Sequence, residues 1–153
     1  MILCQKDSTT LGWSSCFKGI AVPLFILLLD RSEKFTKAGE RLINGIAYRL
    51  GVIADEERCL AERFLSWKDK IVLTNEEYEK YFAWLKEEVD KRTETVVGGN
   101  FRHSYYKAAI LITALGEALE SNVKLNGRKI MIEHYKKMHP RKRVFKAEFE
   151  LLD

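Results

Sequence analysis

Apolar side chains recur at intervals of three and four along most of the chain, with charged residues between them, and no credible stretch alternates with a period of two. That spacing puts one apolar stripe on each of a series of helices. The first is expected from about Ser15 to Leu29. It contains the uncharged run Gly19 to Leu29 and also Pro23, which lacks an N–H and crowds the preceding turn, so the helix either kinks or starts only there. A second helix begins after Ser32 as N-cap and ends at Gly51, with Phe35, Ala38, Leu42, Ile46 and Leu50 on its apolar side. The third covers about Ala54 to Lys70, with Asp55, Glu56 and Glu57 near the positive end of the helix dipole and Leu60, Phe64 and Trp67 facing inward. Thr74 followed by Glu77 forms a capping box that opens the fourth, whose stripe is Tyr78, Tyr81, Phe82, Leu85 and Val89.

Val97, Gly98, Gly99 and Asn100 interrupt this periodicity, so residues 97–100 are the expected internal hinge. The fifth helix runs from about His103 to Ser121. Ala108, Ala109, Ala114 and Gly116 would let neighbouring helices approach closely, which predicts a central position. Asn126 or Gly127 opens a sixth, with Ile130, Met131, His134, Tyr135 and Met138 expected inward, and Pro140 closes it or starts the next one. A last helix from Arg141 to about Leu152 carries Phe145, Phe149 and Leu152 on one side. The pattern predicts a single all-α domain of six or seven antiparallel helices, arranged as an orthogonal bundle or a solenoid-like α-α repeat, with a flexible N-terminal arm over residues 1–12.

Composition supports this picture. With 153 residues, 46% hydrophobic and 31% charged, the chain can bury one core without metal or disulfide support. Cys4, Cys16 and Cys59 are odd in number and widely spaced, which predicts reduced, mostly buried thiols and a cytoplasmic setting. As a helix, Gly19 to Leu29 would span about 16 Å, roughly half a bilayer core, so it predicts a buried helix and no membrane partner.

Charge is distributed unevenly. Residues Lys124 to Lys146 hold nine cations against Glu133 alone, an excess of +8 in a chain whose net charge is +4. Lys136, Lys137, Arg141, Lys142 and Arg143 surround the turn at Pro140 and are the candidate contacts for nucleic acid or an acidic partner. Tyr135 and Phe145 lie beside them but fit apolar stripes better than a stacking surface.

Catalytic signatures are sparse. His103, His134 and His139 have no Cys or carboxylate at zinc-ligand spacing, and HExxH, P-loop, GxGxxG and GxSxG patterns do not occur, so neither a metal nor a cofactor is expected. Glu117 and Glu120 could be read as paired carboxylates, but a salt bridge from Glu117 to a neighbouring helix is the expected role.

Arg128 and His134, separated by five residues, resemble the Arg-to-His spacing of the all-helical HEPN superfamily. That resemblance implies ribonuclease chemistry, with His134 transferring a proton and Arg128 stabilising charge. A broader resemblance runs over residues 102–152: Arg102, Tyr105-Tyr106, Ala108-Ala109, Leu115-Gly116-Glu117, Ile130 to Tyr135, His139 to Arg143, and Phe145 to Leu151. It is similar to the C-terminal helical-repeat end of bacterial SWIM zinc-finger-type proteins, without their zinc motif. The resemblance implies a helical terminal domain of an interaction protein.

The function expected from the sequence is therefore a non-enzymatic interaction or scaffold domain with a protein partner, as part of a larger assembly or a homodimer. The alternative is an RNA- or DNA-binding protein that uses the basic 124–146 segment, with or without HEPN-like cleavage.

Overall fold

A computed structural model describes residues 18–122 and 124–153 of the chain. The arm expected over 1–12, a helix start at Ser15, and Cys4 and Cys16 lie outside these residues. Among the described residues there are seven α-helices: α1 Lys18–Leu29, α2 Lys37–Arg49, α3 Ala54–Lys68, α4 Asn75–Thr93, α5 Tyr105–Asn122, α6 Gly127–Met138 and α7 Arg143–Glu148. A π-helical turn, Glu94–Gly98, extends α4, and short 3-10 turns cover Arg102–Ser104 and Phe149–Leu152. No strand occurs among the described residues, so the fold is all-α.

Local chemistry accounts for both ends of α2 and the start of α4. α1 continues on both sides of Pro23 and so begins ahead of it. The cap of α2 is Thr36, whose hydroxyl accepts from the Gly39 N–H at 3.1 Å, and not Ser32. Ser32 instead donates its N–H to Asp30 Oδ1 at 2.9 Å, a local turn that delays the next helix. At the other end of α2, Gly51 adopts φ +70°, its N–H bonds the Tyr48 carbonyl, and the Val52 N–H bonds that of Ala47. This is a Schellman closure, which uses glycine's tolerance of the left-handed region. The capping box of α4 is complete, with Glu77 N–H donating to Thr74 Oγ1 and Thr74 N–H to Glu77 Oε2.

α5 is the axis of the molecule. Every residue from Ala108 to Gly116 is buried, as expected of a helix enclosed on all sides. It packs against α1, α2, α4, α6 and α7. In a solenoid each unit touches only its neighbours; here α1 and α2 reach across the chain to α5, giving a bundle around a central helix. One continuous core runs from Val22 to Leu152 and includes Val96 and Val97 from the π turn. Thus Val97, at the start of the expected hinge segment, is a core residue, whereas Gly98, Gly99 and Asn100 are exposed.

The α5–α6 contact is the closest. A Cβ at Gly116 would stand 2.8 Å from Arg128 Cα, and one at Gly127 would stand 2.8 Å from the Glu120 backbone nitrogen. This contact rotates α6 so that Met131, Ile132 and Tyr135 are buried, while Ile130, His134 and Met138, expected inward, are exposed. The final helix is shorter than expected: α7 ends at Glu148 and passes into a 3-10 turn, although Phe145, Phe149 and Leu152 are all buried as predicted.

α3 is less embedded. Phe64 is buried and stacks on Phe35 at 6.1 Å, but Trp67 is half exposed, and so is Leu50 at the end of α2. Cys59 is exposed, contrary to the buried thiol expected. The firmest attachment of α3 is Lys68, whose buried ammonium donates to the carbonyls of Asp30 and Ser32, both at 2.8 Å.

Candidate functional site

At the basic turn the structure divides the five predicted cations. Lys136 lies 3.9 Å from Glu133 and sits over the Phe149 ring at 5.7 Å, and Lys142 donates to Asn100 Oδ1 across the loop. Lys137, Arg141 and Arg143 are exposed, with no carboxylate within ion-pair distance among the described residues. Tyr135 and Phe145 are fully buried and offer no stacking surface. His139 is buried edge-on against Phe145 at 5.8 Å, and burial holds its pKa below the usual value.

Arg128 and His134 are not brought together in one space. Six residues along a helix correspond to about 9 Å of rise and about 120° of rotation. Arg128 points back to Glu117, with Nε at 3.5 Å from Oε1, and to Asp153, with a guanidinium nitrogen at 2.7 Å from Oδ1. His134 is exposed on the outer side of α6 and touches Tyr135 edge-on. Glu117 also accepts from the Thr36 hydroxyl at 2.6 Å, and burial raises its pKa despite these two partners. Glu120 accepts the Arg128 N–H at 3.1 Å and so satisfies an orphan donor at the start of α6. Both carboxylates are thereby accounted for as links between helices. No group of His, Cys, Asp and Glu suited to a metal ion is present among the described residues, and no helix there is long and apolar enough to cross a membrane.

A different constellation lies between α1, α2, α4 and α5. These helices leave a cleft of about 390 Å³, within the size range of small-ligand sites. α2 contributes Arg41, Gly45, Tyr48 and Arg49, which fall on one side at helical spacing; α4 contributes Arg92, and α5 contributes Tyr106 and Lys107. Pro23, Leu42, Ile110 and Leu111 supply apolar lining. Among the described residues that line it there are four cations and no carboxylate. Tyr48 is 83% exposed and Tyr106 43%, so both rings present faces to solvent rather than filling the core. Gly45 is helical, and a Cβ placed on it would meet nothing within 4 Å. The fold has no steric need of glycine there, and its missing side chain keeps the cleft open.

The electrostatics of the cleft are those of crowded like charges. Burial, and next the Arg49 guanidinium, pull Arg92 down to about 10. Lys107 is lowered by burial and by Arg92 and Arg49. Arg92 remains a cation at neutral pH. A concave, partly desolvated site of one sign also focuses its field on small ions of the other.

This cleft was not legible as a cluster in the sequence, because its cations come from positions 41, 49, 92 and 107 and none lies in a dense basic run. The readable signal was limited to Arg41 falling outside the apolar stripe of its helix and an unexplained glycine at 45. Comparison with family models, with curated proteins and with solved structures gives no match to this chain.

Proposed function

We propose that the chain is a non-enzymatic helical interaction domain that recognises an anionic partner in the cleft between α1, α2, α4 and α5. The observation that carries this reading is the convergence of Arg41, Arg49, Arg92 and Lys107 on one concave surface whose described lining contains no acid. Multiply charged oxyanions suit such a site, because guanidinium groups bind them through paired, charge-assisted hydrogen bonds. A cytoplasmic setting and membership of a larger assembly belong to the same proposal, supported by the three widely spaced cysteines and the abundance of helical surface.

Calorimetric titration of inorganic tripolyphosphate at low ionic strength tests the reading. Saturable binding is expected, weakened about tenfold or more in the Arg41→Ala/Lys107→Ala variant, since hydrogen bonds to charged groups contribute about 1.5–3 kcal/mol each. No saturable binding, or an affinity that the double variant leaves unchanged, would overturn it.

A second reading places nucleic acid or an acidic protein on the basic turn, and the outward-facing Lys137, Arg141 and Arg143 favour it. Replacing these three with Ala is then expected to weaken binding of a single-stranded oligonucleotide and flatten its salt dependence. Equal binding by wild type and triple variant at low salt would exclude this surface.

A further inference from the structure

The same cleft has a feature that an inorganic anion alone would not use. Tyr48 and Tyr106 approach it from two different helices, and both rings are substantially exposed beside the apolar lining of Ile110 and Leu111. A tyrosine kept at 83% exposure contributes little to the core, yet it provides a flat face beside cations. Lys107 already lies 5.8 Å from the centre of the Tyr106 ring, so cation and aromatic face are adjacent within the site.

Resting on the reading of this cleft as the anion site, we infer that its ligand is a nucleoside phosphate, with the phosphates held by Arg41 and Lys107 and the base stacked against Tyr48 or Tyr106. Base–aromatic stacking tolerates any base, because every base has a π face, and the site then reads the class of ligand more than the identity of the base. The open shelf at Gly45, one turn before Arg49 on the same side of α2, leaves room between the two ends of such a molecule. The chemistry is shared by a free nucleotide and by a nucleotide within a strand.

Adenosine diphosphate and inorganic pyrophosphate, titrated into the full chain under the same conditions, separate stacking from charge, since pyrophosphate carries at least as much negative charge. Adenosine diphosphate is expected to bind at least about fivefold more tightly, the effect of one stacked base. That preference is expected to fall towards one in the Tyr48→Ala/Tyr106→Ala variant, with folding checked by circular dichroism. Equal affinities in wild type would overturn the nucleoside inference and leave the anion site standing; no binding of either would overturn both. Gly45→Leu, which enters open space on an exposed helix face, is expected to weaken both ligands, and an unchanged affinity would show that they do not bind in the cleft. A 5′-phosphorylated pentanucleotide completes the comparison. Tighter binding than adenosine diphosphate identifies a strand as the source, and weaker binding identifies the free nucleotide.

Discussion

Gly45 and Gly116 both lie inside helices, but their surroundings give them opposite roles. Nothing lies within 4 Å of a Cβ at 45, so Gly45→Ala adds helix propensity and is expected to stabilise the fold by about 0.5–1 kcal/mol. At 116 a Cβ would meet the Arg128 backbone at 2.8 Å, so Gly116→Ala must push α6 away from α5 and is expected to cost about 1–3 kcal/mol despite the same propensity gain. Urea midpoints of the two variants should move in opposite directions. Two titratable residues form a similar contrast. Burial raises Glu117 above the ordinary 4.5, so the native state holds that proton more tightly, and stability present at and below this pH is lost as pH rises through the raised native value. Burial lowers His139 below 6.5, so its contribution is present above that pH and is lost as pH falls through the lowered native value. Relative to Glu117→Gln, wild type should therefore lose stability between pH 4 and pH 7; relative to His139→Asn, it should lose stability as pH falls from 7.5 to 5.5. Denaturant melts across these ranges check both slopes.

At the scale of elements, ends defined by local chemistry were legible in the sequence and orientations set by partners were not. The capping box at Thr74 and the glycine closure at Gly51 depend on residues a few positions apart, and both occur as read. The cap of α2 differs from the expected one because Ser32 and Thr36 are both good caps, and only the turn through Asp30 decides between them. In α6, Met131 and Tyr135 are buried as expected, but Ile132 takes the inward place expected of Ile130. Ile130, Met131 and Ile132 are consecutive, so periodicity alone cannot choose its buried face, which the Gly116–Arg128 contact fixes. The same distinction governs local stability. α5 is enclosed by five other helices, whereas α3 makes its main helix contact with α2 and is tied by Lys68. Amide exchange should accordingly be slowest in α5, at the rate of global unfolding, and markedly faster in α3 through local opening. Lys68→Met, which leaves two carbonyls without their charged donor, should accelerate exchange in α3 well before it alters α5. Uniform protection of the two helices would contradict this ordering.

For the whole molecule, the density of charge along the chain and its convergence in space point to different surfaces. The excess of +8 between Lys124 and Lys146 spreads around α6 and the Pro140 turn, where Arg128, Lys136 and Lys142 are engaged by the protein itself. The cleft gathers fewer cations, but from three helices into one concavity, and no linear window reveals it. Salt dependence can distinguish the two surfaces in a single experiment. Binding of a single strand releases counterions with a slope of about −0.7 in log K against log salt for each phosphate neutralised, so engagement of Arg41 and Lys107 contributes about −1.4. Arg41→Ala/Lys107→Ala should reduce the slope by about that amount, while Lys137→Ala/Arg141→Ala/Arg143→Ala should leave it unchanged. Fluorescence anisotropy of a labelled oligonucleotide between 50 and 200 mM salt, about the range over which such slopes are resolved, measures both variants. A slope that follows the triple variant instead would place the polyanion on the Pro140 turn and leave the cleft to small ligands, because a strand neutralised there has no need of Arg41 or Lys107.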